Sequence, residues 1–414
     1  VAGLSAIRGV FAQRNARIFY TGSVTCWTGS WVQRVATDWL TWELTHSAFW
    51  VGVIAFCNLA PSVIVSPIAG AVADRVDRVR LTMASQFITA AQAATLMVLI
   101  LAGLIRVEFI AALATVNGVA ETFAQPARQC LIPGLVPRIY LPGAVALNSL
   151  TYNAARFVGP ALSGPMIVAW GVVPPIACNC AAFLFASFTM YLLKLDPAIR
   201  IGHRSNHGLF RDAVEGIRYV ARHRGIGPLL FFAAAVGMSL RSVPEMLPPF
   251  VADLFGRDAR GLAMLASTMG LAALIGGTVV AIRGRLDGLT RIAVFAGVVL
   301  TLATASFVAT HHFVVGVICI GVMGAATTMH GISIQTLLQN SASAVMVGRV
   351  LSVWGMITRA APAMGAVAYG AASEFAGLQI PVLIGCVLCG LAWLRAQSGL
   401  PRMVPALEGG ETLA

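Results

Sequence analysis

Apolar runs about as long as a bilayer crossing, separated by short polar punctuation, dominate the chain. A helix rises about 1.5 Å per residue, so about 20 apolar residues cross a hydrocarbon core of about 30 Å. Twelve runs have that character, near 18–44, 48–72, 81–104, 108–130, 143–169, 172–194, 226–251, 260–282, 290–310, 313–338, 350–373 and 378–396. The first is the weakest, because Gln33, Arg34 and Asp38 interrupt it. The longest polar stretch, "DPAIRIGHRSNHGLFRDAVEGIRYVARHRGIG", falls between the sixth and seventh runs. Its second half puts Phe210, Val214, Ile217 and Val220 on one stripe, predicting a short amphipathic helix on the inner membrane surface. The expected organisation is a six-helix bundle over 1–194, a linker over 195–225, a second six-helix bundle over 226–396 and a cytoplasmic tail over 397–414.

Composition excludes a soluble domain. The 414 residues are 58% hydrophobic and 11% charged, with a mean hydropathy of +0.83, whereas soluble domains carry about 25% charged residues. The fold class is therefore all-α integral membrane. The net charge of +12 does not point to nucleic acid, because the basic residues punctuate apolar runs instead of gathering on one soluble face. Of the 28 Lys and Arg, 21 fall on one side of the predicted topology, 3 on the other (Arg106, Arg257, Arg260) and 4 inside spans (Arg34, Arg156, Arg241, Arg359). By the positive-inside rule both termini are cytoplasmic. The cysteines lie mostly in apolar runs, and Cys386 and Cys389 have no neighbouring His or acid, so neither metal nor cofactor is expected. No phosphate-cradling Gly-Lys loop and no Ser-His-Asp cluster is present; the chain reads as a non-enzyme powered by an ion gradient or a partner.

The chain also repeats itself. Arg34-x-x-x-Asp38 recurs as Arg241-x-x-x-Glu245 at an offset of 207, and Gln125-x-x-x-Gln129 recurs as Gln335-x-x-x-Gln339 at 210. "LNSLTYNAAR" and "VLSVWGMITR" align at 203, setting Arg156 over Arg359. Matches in register predict two pseudo-symmetric six-helix halves, with a binding site at their interface near the midplane.

"GAVADRVDRVR" (70–80) resembles the loop signature of the major facilitator superfamily, matching at Gly70, Asp74, Arg75, Arg78 and Arg80, with Asp77 in place of a glycine. "RFVGPALSGP" resembles that superfamily's antiporter motif through Gly159, Pro160 and Gly164. With "WELTHSAFWVG", "ALNSLTYNAARFVGPALSG" and "GRVLSVWG", the whole chain is similar to the enterobactin-exporter and efflux-permease branch. The resemblance implies a gating role for Asp74 and Arg75, with Gly70 allowing close helix approach, and spans 1, 4 and 7 lining a cavity. It implies a multi-pass protein of the bacterial inner membrane, monomeric, with a small organic substrate, protons and the bilayer as partners.

Each intramembrane charge has two readings. Arg34–Asp38 and Arg241–Glu245, four apart, either neutralise themselves within a helix or surround the cavity. Asp38, Glu121, Glu245 and His330 are the candidate proton carriers, His330 alternatively being a packed hydrogen-bonding residue. Arg156 and Arg359 either bind lipid headgroups or, with Asn153 and Gln335, hold an anionic substrate through paired guanidinium hydrogen bonds. Most tryptophans read as membrane-belt anchors. The resulting expectation is proton-coupled export by alternating access of an amphipathic, siderophore-like organic anion or a drug. The alternatives are uptake of an anionic solute or lysophospholipid, and a non-transporting receptor or scaffold.

Overall fold

The computed structural model describes residues 8–73, 75–195, 209–343 and 346–409. The described residues are helical with no strand. In chain order the helices are α1 (Arg14–Thr45), α2 (Ala48–Ala73), α3 (Arg78–Leu101), α4 (Val107–Leu131), α5 (Leu141–Trp170), α6 (Val173–Tyr191), α7 (Leu209–Arg222), α8 (Ile226–Ser239), α9 (Ala259–Arg283), α10 (Leu289–Ala309), α11 (Phe313–Ser341), α12 (Val347–Ala376) and α13 (Gln379–Glu408). Among the described residues, ten segments are long and apolar enough to cross a membrane. The two long helices outside that set are α1 and α5. α1 carries Arg14, Arg17, Arg34, Asp38 and Glu43, and α5 carries Asn148, Asn153 and Arg156.

The chain divides into two compact units. The first holds α1, most of α2, α3 to α6 and residues 259–267 of α9; the second holds residues 46–56, α7, α8, the rest of α9 and α10 to α13.

In the first unit α1 packs on α5 and α6, and α3 on α4 and α6. Phe19, Tyr20, Leu131, Leu147 and Met190 form the apolar core at one end, and the Tyr20 hydroxyl donates to the Ala144 carbonyl at 2.6 Å. Helix association in lipid lacks the hydrophobic drive of water, so tight packing and polar contacts must hold the bundle. Here the contact is a three-helix amide chain. Asn179 Nδ2 on α6 donates to Gln33 Oε1 on α1 at 2.6 Å, and Gln33 Nε2 donates to Gln92 Oε1 on α3 at 3.0 Å. Asp77, the residue that departs from the superfamily loop pattern, N-caps α3: its carboxylate accepts from Val79 N at 2.9 Å and Arg80 N at 3.2 Å. A capping carboxylate satisfies amide groups that a glycine there would leave bare.

In the second unit α10 packs on α11 and α13, and α8 on α12 and α13. The sequence reading ended the last span at 396, but α13 runs on to Glu408. Met403 and Leu407 are buried with Ile226, Leu230, Leu337 and Trp354. The Glu408 carboxylate accepts from Gly288 N at 2.6 Å and Thr290 N at 2.7 Å, capping the start of α10. The linker helix α7 is seated on α12, with Glu215 Oε2 2.7 Å from Arg349 Nη1 and Tyr219 and Val220 against the same core. Ile217 is exposed, so the predicted stripe is split, and the side chains of Phe210 and Val214 lie outside the described residues.

Candidate functional site

The first unit gathers charge and aromatic rings on one face of α1. Trp27, Trp31, Arg34 and Asp38 are spaced four, three and four residues apart, the repeat that keeps side chains on one helical stripe, and all four are half-buried. The face that bears Gly22, Ser23, Cys26, Gly29 and Gln33 is buried. Arg34 Nε lies 3.8 Å from Asp38 Oδ2, and the Arg34 guanidinium stands 5.4 Å from the Trp31 ring.

α5 brings a second guanidinium to the same ring: Arg156 stands 5.6 Å from Trp31. Two local features set α5 this close to α1. A Cβ on Gly159 would collide with the Trp31 Cβ and lie 3.1 Å from the Thr28 carbonyl oxygen, so only glycine fits. One turn on, the Ser163 hydroxyl donates to the Val32 carbonyl at 2.9 Å. Gly164 abuts the Ala263 side chain, and α5 continues through Pro160 and Pro165. Arg34 and Arg128 each lie near a carboxylate; Arg156 has only the Trp31 ring among the described residues.

α4 supplies the third guanidinium. The 21 inner-side basic residues of the sequence count include Arg128, near the end of the run 108–130. The structure puts Arg128 in the last turn of α4, 5% exposed and in contact with the Glu121 carboxylate two turns back. Its Nη1 lies 3.5 Å from Cys26 Sγ, and its guanidinium 5.3 Å from the Trp27 ring, which Tyr152 of α5 meets edge-on at 5.6 Å. Glu121 itself is 43% exposed. The signal was present as Glu121 and Arg128 seven residues apart, a spacing that returns to one helical face. Among the described residues, Arg34, Arg128 and Arg156 thus lie with Asp38 and Glu121 along a seam of Trp27, Trp31 and Tyr152.

The remaining candidates are dispersed. Asn153 donates to the Ser149 carbonyl of its own helix at 2.8 Å. Gly70 has open space where a Cβ would stand, so close helix approach is not what requires a glycine there. Arg75 is exposed, Arg78 Nε donates to the Ala73 carbonyl at 3.4 Å, and Asp74 lies outside the described residues.

In the second unit, Arg241 and Glu245 do not share a helical face as the sequence reading expected. α8 ends at Ser239, Arg241 sits in a turn and Glu245 in a short 3-10 segment, Val243–Met246. Pro244, Pro248 and Pro249 remove amide donors and clash with preceding carbonyls, which breaks the helix there. His330 is 1% exposed; its Nδ1 is 2.8 Å from the Ala293 carbonyl and its ring meets Phe232 edge-on at 5.6 Å. Arg359 is half-buried on α12 and Gln335 exposed on α11.

Comparison with known proteins decides the family. A model described as "transmembrane secretion effector", within the major facilitator superfamily, matches residues 8–407. The chain belongs to that family. Among curated relatives of this superfamily, the staphyloferrin A transporter of Staphylococcus aureus is 23% identical over 81% of this chain and 84% of its own. The multidrug efflux pump Tap of Mycolicibacterium fortuitum is 25% identical over 87% and 90% respectively. Among solved structures, the nucleoside transporter NupG superposes with a TM-score of 0.73 at 14% identity, over 94% of this chain and 99% of that one. A bacterial homologue of the lysosomal transporter Spinster, inward-facing and unoccupied, superposes with 0.71 at 14% identity, over 97% and 99%. This major facilitator chain is therefore a multi-pass membrane transport protein and not an enzyme.

Proposed function

We propose that the protein exports an amphipathic organic anion across the bacterial inner membrane in exchange for protons, by alternating access of two pseudo-symmetric six-helix bundles. In this reading α1 and α5 also cross the bilayer, giving twelve spans with both termini cytoplasmic, and the protein works as a monomer. The observation that carries it is Arg156, a guanidinium in an apolar bundle whose one described contact is the Trp31 ring. A cation within a membrane span costs about 2.5–3.5 kcal/mol on insertion scales. A substrate carboxylate or phenolate offsets that cost through paired hydrogen bonds, and the Trp27–Trp31–Tyr152 seam suits the apolar part of the same molecule. The relatives named for staphyloferrin A transport and multidrug efflux support export of organic compounds.

Glu121 is the proposed proton carrier. It is the more open partner of a pair whose cation, Arg128, is buried, so protonating it switches the charge balance of the seam. Asp38 beside Arg34 is the second carboxylate of that balance; Glu245 and His330 are less suited, one lying in a broken segment and the other enclosed.

The test is counterflow in right-side-out and inverted vesicles, with a panel of amphipathic carboxylates and phenolates set against uncharged isosteres. Export of the anions is expected, with Arg156→Ala raising the apparent KM by about tenfold or more, the cost of a charged hydrogen bond, and abolishing the preference for anions. Equal transport of charged and uncharged members by the wild type overturns the substrate class. Accumulation in the opposite vesicle orientation overturns the direction. Unimpaired function with the seam arginines replaced overturns transport itself in favour of a receptor role.

A further inference from the structure

Among the described residues of the first unit, Thr37 Oγ1, Asn179 Oδ1 and Ser267 Oγ are buried without a hydrogen-bond partner, and so are three more deeply enclosed side chains, Ser23 on α1, Gln86 on α3 and Ser187 on α6, each 1% exposed. Both the oxygen and the nitrogen of the Gln86 amide are unpartnered. An amide presents two donors and an acceptor with two lone pairs, and such a group is rarely left bare inside a protein.

Helix register brings the three together. A Cβ on Gly22 would collide with Thr189 Oγ1 and lie 3.5 Å from Ala186 Cα, which sets Ser23 level with Ser187. Cys180 Sγ lies 3.4 Å from the Ala90 carbonyl, and Gln92 meets Gln33, so α3, which packs on α6, holds residue 86 at about the level of residue 27 of α1. Side chains lean toward the helix N-terminus, which carries the Gln86 amide from its own level toward that of Ser23. Cys26, Ala90, Phe183 and Ala186 form one buried cluster at this height. Cys26 closes the link to the charged seam, its Sγ lying 3.4 Å from the Ser23 carbonyl and 3.5 Å from Arg128 Nη1. Among the described residues the titratable groups acting on Arg128 are Glu121, on its own helix, and Cys26, on α1.

We propose that Ser23, Gln86 and Ser187 enclose a water-binding site in the core of the first unit, and that its water keeps Arg128 solvated when Glu121 takes up a proton. The ligand class follows from the donor set, which is neutral, mixes donors with acceptors and contains no carboxylate to hold a cation. Water satisfies several such groups at once, and buried water of this kind is an integral part of a structure. The second half of the proposal rests on the reading of Glu121 as proton carrier.

The first experiment is X-ray radiolytic hydroxyl-radical footprinting of the full-length protein, read by mass spectrometry. Radicals generated from a bound water label the side chains beside it. Cys26 is expected to be labelled far more than Cys389, which is equally buried in the second unit, and the label is lost in the Ser23→Ala/Gln86→Leu/Ser187→Ala variant. Labelling of Cys26 no greater than that of Cys389 overturns the water site, even if the triple variant fails to fold.

The second experiment follows Glu121 protonation by infrared difference spectroscopy, assigning the carboxylic-acid band with Glu121→Gln. Removing the water with the single variant Gln86→Leu leaves a protonated Glu121 facing a buried, bare Arg128. Its protonation midpoint is therefore expected to fall, by about one pH unit or more; an unmoved midpoint overturns the solvation role. If the wild-type band does not titrate at all, the proton-carrier reading fails while the Cys26 footprint still decides the water site.

Discussion

Replacing Glu408 by alanine removes an acceptor from two amide groups at the start of α10, 118 and 120 residues away in sequence. Gly288, the residue just before α10, has φ 80° and no side chain with which to cap the helix itself, so Glu408 does the work of an N-cap from another helix. Losing a capping side chain costs about 0.5–2 kcal/mol, and losing an anion at the positive end of a helix adds about 0.3–1 kcal/mol. Glu408 is only half-buried, and water replaces part of the lost bonding, so the expected net cost is about 1–2 kcal/mol. For a unit of this size a kilocalorie shifts the melting temperature by about 2–4 °C. Thermal unfolding in detergent, followed by aggregation-sensitive chromatography or intrinsic fluorescence, should place Glu408→Ala about 2–8 °C below the wild type. Glu408→Gln, which keeps one acceptor oxygen, should fall between, and Arg402→Ala on the exposed side of the same helix should not move. A Glu408→Ala melting temperature equal to that of Arg402→Ala would falsify the idea that the end of α13 braces the second unit.

Further outcomes follow from the same geometry. Asp77→Ala should destabilise by about 0.5–2 kcal/mol while Asp77→Gly costs only a few tenths, a difference visible in urea or thermal titrations and absent if Asp77 acts through charge alone. Asn179→Ala leaves the Gln33 carbonyl unpaired in the three-helix chain and should cost about 1–3 kcal/mol; a Gln92→Leu change in the same background should add less than its separate effect, because the two share one network. Gly159→Val drives a side chain into Trp31 and should reduce both folded yield and anion binding, whereas Gly70→Ala, with open space around it, should leave yield unchanged by fluorescence size-exclusion chromatography. Glu121→Ala, which leaves the buried Arg128 guanidinium without its counter-charge, should impair folding more than Arg128→Ala, which leaves a half-exposed carboxylate; equal yields would show the pair to be solvated.

What the order of residues determined alone is the environment and the spans. Among the described residues ten segments are long and apolar enough to cross a membrane; hydrocarbon admits only backbone that satisfies its own hydrogen bonds, and a run of apolar residues therefore declares a helix without reference to its neighbours. The same logic made Arg34, Asp38 and Arg156 conspicuous, since a charge inside such a run needs an explanation on any fold. Their partners were another matter. Arg128 counted only as an inner-side cation because burial of a helix end depends on what packs beside it, and the neighbours of Trp31 depended on Gly159, which lets α5 close on its flank. Arg241 and Glu245 do not share a helical face, because three nearby prolines outweighed the repeat. Glu408 and Gln86 carried no local signal at all: a cap drawn from another helix, and the burial of an amide among neighbouring helices, exist only once distant segments meet, and periodicity within one segment holds no record of that meeting.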